Sequence, residues 1–112
     1  MTRYLISFDD GDMDFPESDF EEVGRVTQAV VREAKAAGVW VVGAGLRTQR
    51  AKIANIDETI VDGPFPEIKA VIGGFCIVEV SSLDEALRWA TKFAVSCRCA
   101  QEVRELMNDP QA

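Results

Sequence analysis

The clearest candidate chemistry in this chain lies at Asp62-Gly63-Pro64-Phe65 and the basic residues that follow it. Asp62 ends an apolar run, Thr59-Ile60-Val61, directly before Gly63-Pro64. Gly63 can take a positive φ and Pro64 fixes the next one, so the carboxylate would be held in one place. Two accounts fit it. In one, Asp62 makes an Asx-type turn and its carboxylate accepts backbone N–H groups. In the other it is a cleft carboxylate, a general base or a hydrogen-bond acceptor for a substrate. Glu67 and Lys69 are two apart and share a face of any extended segment. They fit an ordinary surface ion pair of little energetic value. They also fit a binding site in which Lys69 and Arg104 anchor an anionic ligand, Glu67 lies alongside, and Tyr4 stands at the cleft mouth. Asp62 is therefore the candidate catalytic residue, and Tyr4, Glu67, Lys69 and Arg104 are the candidate substrate-binding residues. Gly63, Pro64, Phe65, Gly73 and Gly74 are candidate structural turn positions, the last two as a bulge or a close backbone approach.

Composition narrows what that chemistry can be. The chain has 112 residues, 47% of them hydrophobic, which is a single-domain length and too apolar for disorder. It contains no histidine, so no Ser-His, Cys-His or His-Asp machinery can form within it. The net charge of −7 opposes nucleic-acid and anionic-membrane binding, because phosphate contacts need a basic face. No apolar run approaches the ~20 residues of a membrane span, and the short, early-acidic N-terminal stretch is unlike a signal peptide. The expectation is a cytoplasmic protein. The three cysteines, Cys76, Cys97 and Cys99, then read as reduced thiols. Cys97 and Cys99 could be a redox pair, but two thiolates without histidine do not close a zinc site. Asp10, Asp12, Asp14 and Glu21 copy the spacing of a calcium loop, yet Phe15 and Pro16 stand where that loop turns on glycine, so a solvated loop is expected. No metal and no cofactor are expected.

The elements that must position these residues can be read in order. Tyr4, Ile6 and Phe8 alternate onto one face of a first strand. Ser18 and Glu21 form a capping box, so a helix of about twenty residues should start at Ser18. Its apolar face is Phe20, Val23, Val26, Val30, Ala34 and Ala37, and Gly38 stops it. Residues 39–46 form a second strand, apolar on both faces at first and so expected to be buried. Gly43 and Gly45 share a face, where either a packed neighbour or a ligand could approach the backbone. Residues 51–56 and 59–61 make a hairpin turning at Asp57-Glu58. Phe75 to Val80 is the next strand. Ser82 and Glu85 open a second helix with Leu83, Ala86, Leu87, Ala90, Phe93 and Ala94 on its apolar face and Trp89 on the flank. Gln101 to Met107 is the last strand, giving one domain over residues 1–107 and a tail over 108–112.

The skeleton is βαββαβ with an extra hairpin, an α+β chain of the ferredoxin-like plan. Two helices cover one sheet face only. With several strands apolar on both sides, a homodimer joined through the sheets is expected.

With these pieces in place the chain resembles the YCII-related family, in particular its DGPF subgroup. The likeness rests on the ordered set Gly43-Ala44-Gly45-Leu46, Asp62-Gly63-Pro64-Phe65, Glu67-Ile68-Lys69, Gly73-Gly74-Phe75, Leu83-Asp84-Glu85-Ala86 and Glu102-Val103-Arg104, and covers nearly the whole chain. It implies a dimeric α+β barrel with a cleft in each subunit. The chain departs from the family pattern in a shorter hairpin before Asp62 and in Pro66 and Ile68. Related proteins carry a His-Asp pair proposed to be catalytic, and one branch is a dehydrochlorinase of a hydroxylated aromatic. Without histidine that mechanism does not transfer. The expected function is a small-molecule-binding domain. If it is an enzyme, the expected chemistry is lyase- or isomerase-type proton transfer on a small polar or aromatic compound, with Asp62 as base and Lys69 or Arg104 as electrostatic stabiliser. The alternative is a non-catalytic regulatory or protein-interaction module, since DGPF members often accompany extracytoplasmic-function sigma factors.

Overall fold

The structure, a computed structural model, describes residues 1–9, 11–47, 51–63 and 72–108. Six strands and two helices follow one another along the chain: β1 Thr2–Asp9, α1 Phe20–Ala36, β2 Trp40–Gly45, β3 Lys52–Ala54, β4 Ile60–Asp62, β5 Ile72–Val80, α2 Leu83–Cys97 and β6 Glu102–Glu105. Four strands form an antiparallel sheet in the order β2-β5-β1-β6, the ferredoxin-like arrangement, and β3 and β4 form a separate two-stranded hairpin. No helix among the described residues is long and apolar enough to cross a membrane.

The alternation in β1 sends Tyr4 and Ile6 into the core, opposite Val78 and Cys76 of β5. On this face α2 is the main cover. Ala86, Trp89, Ala90, Phe93, Ser96 and Cys97 are all buried, so Trp89 belongs to the core. The alanines let the helix approach closely, and Phe93 and Trp89 supply the volume. Truncating a buried ring of this kind costs about 3–5 kcal/mol. Helix α1 behaves differently. Of its seventeen residues only Val23 and Ala34 are buried. It leans on α2, to which Glu33 is tied by Lys92 at 2.8 Å, and makes no close backbone approach to β1 or β5.

The helix ends show where local signals hold. Ser82 caps α2, its hydroxyl accepting the Glu85 N–H at 3.2 Å. The Glu85 carboxylate accepts the N–H and the hydroxyl of Ser81 instead of closing the box on Ser82. Gly38 stops α1 in the left-handed region at φ 75°. The expected box at Ser18 does not form. Residues Glu17–Asp19 make a 3₁₀ turn after Pro16, and α1 starts at Phe20 with Asp19 as an N-cap in helical conformation. The Asp19 carboxylate is committed elsewhere, to Arg98 at 2.8 Å.

One other expectation changes. β2 was expected to be buried, but it is an edge strand, paired on one side only, and its residues are exposed or half-buried. Gly63 could have used a positive φ but does not, and a Cβ there would stand 2.6 Å from the tip of the Ile53 side chain, which would have to shift. The Gly73-Gly74 irregularity is present as a register shift against Phe8 and Asp9.

Candidate functional site

The stand-off of α1 leaves a groove of about 650 Å³ between that helix and the helix-ward face of the sheet. This is within the size range of small-molecule sites, ~300–1,000 Å³. Its outer wall is one stripe of α1: Phe20, Val23, Gly24, Thr27, Gln28, Val31 and Lys35. Steps of three and four keep these residues on one helix face, which runs about 22 Å at 1.5 Å per residue. The floor is Ile6 and Phe8 of β1, Gly43 and Gly45 of β2, and Cys76 of β5. Phe93 and Cys97 of α2 line it too, as do Met13 and Phe15 of the loop after β1 and Gln101 before β6.

Glycines shape the space. A Cβ on Gly43 would stand 2.5 Å from the Trp40 indole, and one on Gly74 would stand 2.6 Å from the Phe8 ring, so each glycine seats an aromatic ring. Gly45 and Gly24 also line the groove, one on the strand and one on the helix, and a Cβ on either would meet nothing within 4 Å. Of the two occupants expected at the Gly43–Gly45 face, a packed neighbour takes Gly43, while Gly45 opens on empty space.

The rings are held in pairs. Phe15 meets Phe20 edge to face at 5.4 Å, and Trp40 lies 6.2 Å from Phe93. One end is pinned by Arg98, the C-cap of α2, which pairs with Asp19 and stacks its guanidinium 5.7 Å from the Phe15 ring. Arg98 does this from a left-handed backbone, φ 59° and ψ 35°.

Polar groups in the lining are few. The Thr27 hydroxyl lies 3.6 Å from the Cys97 sulfur. Gln28 and Gln101 offer amides, and Lys35 is the one charged residue among the described lining. Burial pushes the Cys76 thiol up to about 12, with neighbouring Cys97 adding to the rise. Cys99, just outside the lining, is pushed to about 11 by burial, then by Cys97 and Asp12, against a hydrogen bond from Gln101. Thiols held this high are protonated near neutral pH and behave as soft apolar lining, not as nucleophiles. The described groove can therefore stack a flat ligand, hydrogen-bond its rim and approach it with one cation. It holds no carboxylate or imidazole to take a proton.

The residues singled out from sequence lie elsewhere. Asp62 is exposed at the end of β4 and pairs with Lys52 across the hairpin. The Asx-type turn belongs to Asp57, whose carboxylate accepts the N–H and hydroxyl of Thr59 at 3.1 and 2.6 Å. Tyr4 is buried in the core, 4% exposed, and not at a cleft mouth. Its hydroxyl titrates above the ordinary range because burial disfavours the phenolate and Glu105 adds a negative charge beside it. Arg104 stands opposite Leu5 on β6 and pairs with Glu102 at 2.6 Å. By the alternation of β1 it faces away from Tyr4 and Ile6, and so away from the groove. Pro64, Phe65, Glu67 and Lys69 lie outside the described residues. The groove residues Thr27, Gln28, Lys35 and Trp40 carried no sequence signal of their own. The nearest was the glycine pair of β2, and Gly24 inside a helix was a second that could have been used.

A profile of the YCII-related domain matches residues 21–107, and the chain belongs to the YCII-related family. Among solved structures it is similar to TftG, the 5-chloro-2-hydroxyhydroquinone dehydrochlorinase of Burkholderia phenoliruptrix AC1100, in complex with 2,5-dihydroxybenzoquinone. The TM-score is 0.56 at 16% sequence identity, over 99% of this chain and 98% of that one. No curated protein matches the chain. The shared architecture is the ferredoxin-like α+β fold.

Proposed function

We propose that this chain is a small-molecule-binding domain whose ligand lies in the groove between α1 and the sheet. The observation that carries this is the groove itself, about 650 Å³ of space lined by aromatic residues, with the exposed glycines Gly24 and Gly45 among its helix and strand walls. A concave, mostly apolar lining of this size with a few polar groups is typical of a small-molecule site. The likeness to a protein solved with a single-ring quinone supports a ligand of that flatness. Titrating labelled protein with 2,5-dihydroxybenzoquinone tests it. Amide shifts should cluster at Gly24, Thr27, Gly45 and Gln101, and saturable shifts confined to other surfaces would refute the site.

A second function, lyase- or isomerase-type proton transfer with Asp62 as base, is favoured by the dehydrochlorinase neighbour and by the exposed Asp62–Lys52 pair next to the undescribed segment 64–71. In it Glu67 and Lys69 complete the site, while Tyr4, buried in the core, and Arg104, on the opposite face of the sheet, stay outside it. Asp62→Asn decides it: turnover of a ligand bound by the wild type should disappear, and full activity in the variant excludes Asp62. The run Asp62-Gly63-Pro64-Phe65 supports assigning the chain to the DGPF subgroup under this reading. The open face of the sheet, where Leu5 pairs with Ile77 and Val42 is 46% exposed, supports a homodimer joined through the sheets.

A further inference from the structure

We infer that the ligand of the groove is a flat aromatic anion, its rings between α1 and the sheet and its acidic group toward Lys35. This rests on the groove being the binding site and goes on to name the class of ligand. Three features select it. Gly24 of α1 and Gly45 of β2 both line the groove and put no side chain into it, which leaves room beside the rings for a planar body. Phe8, Phe15, Phe20, Trp40 and Phe93 offer ring faces and edges to that body. At the C-terminal end of the α1 stripe stands Lys35, the one charged group among the described lining. Lys35 has no carboxylate within ion-pair distance among the described residues. Glu33, its neighbour on α1, is engaged by Lys92 at 2.8 Å.

The net charge of −7 works against an anion only at long range. Screening has a length of ~8 Å at physiological salt, so a group seated beside Lys35 responds chiefly to that ammonium. Lys35 is exposed, which limits the gain. Exposed pairs contribute at most about 1 kcal/mol, a roughly three- to fivefold preference for the anion over a neutral isostere.

Calorimetric titration with 2-naphthoate, its neutral methyl ester and cationic 2-(aminomethyl)naphthalene tests the inference on the wild type and on Lys35→Met. The expected order is naphthoate, ester, amine, with the naphthoate advantage falling as salt rises. Lys35→Met should remove that advantage and leave the ester within about twofold of its wild-type affinity. Equal binding of naphthoate and ester to the wild type overturns the anionic class while leaving the groove as the site. So does a Lys35→Met variant that keeps the preference. Failure of all three probes to bind overturns the anionic class and the groove together.

Discussion

Replacing Gly24 should stabilise the protein and damage its binding site at once. Glycine in a helix interior is about 1 kcal/mol less favourable than alanine, because it loses more backbone freedom on folding. Gly24 lies within α1 at an ordinary helical φ, and a Cβ added there meets nothing within 4 Å. No overpacking cost therefore opposes the gain. Gly24→Ala should raise stability by about 0.5–1 kcal/mol, a melting shift of roughly 2–6 °C for a chain of this size. Gly24→Leu keeps most of that helix preference but places an isobutyl group in the groove. A ligand must then displace it, at the ~1–3 kcal/mol typical of overfilling, so affinity should fall roughly tenfold or more. Urea unfolding followed by tryptophan fluorescence gives the first quantity, and titration with 2,5-dihydroxybenzoquinone gives the second. Destabilisation by Gly24→Ala would show that the space beside Gly24 is not free. Undiminished binding by Gly24→Leu would show that the ligand does not use the groove.

Arg98 holds a left-handed backbone, a state that disfavours L-residues by about 1 kcal/mol and glycine not at all. Arg98→Ala keeps that strain and loses the contacts to Asp19 and Phe15, so Arg98→Gly should be about 1 kcal/mol the more stable of the two in denaturant unfolding; the reverse order would remove the backbone account. Cys76 binds its proton more tightly folded, to about 12, than at its ordinary 9.0, so the unfolded chain holds fewer protons above that value. Stability should be level below about pH 8 and fall as pH rises through 9 toward 12, with a shallower fall in Cys76→Ala; identical slopes would exclude this thiol. Ile77→Lys, in the middle of the open sheet face, should convert a dimer to a monomer in light scattering; a wild type already monomeric at high concentration excludes the sheet-to-sheet dimer.

What could be read from the chain beforehand divides by the distance over which each feature is made. The face of β1, the stop at Gly38, the cap of α2 at Ser82 and the hairpin turn at Asp57-Glu58 each depend on residues within four positions of one another, and periodicity or cap chemistry reports them. Ser18 fits the same local rule and fails, because Asp19 answers to Arg98, 79 positions away. The groove is of this second kind. Gly43 needs glycine because of Trp40, three residues off, but Gly74 needs it because of Phe8, 66 residues earlier, and Gly45 lines the groove together with residues of α1. No motif search along the chain joins Gly24 to Gly45. Acidic and basic residues near a proline turn draw attention because chemistry needs charge, which is why Asp62 and Arg104 stood out, yet both are exposed and paired within their own local elements. A binding groove is marked instead by missing atoms. Two glycines with nothing against them, on walls built from opposite ends of the α1–β2 unit, say more about where a ligand lies than the charged turn does.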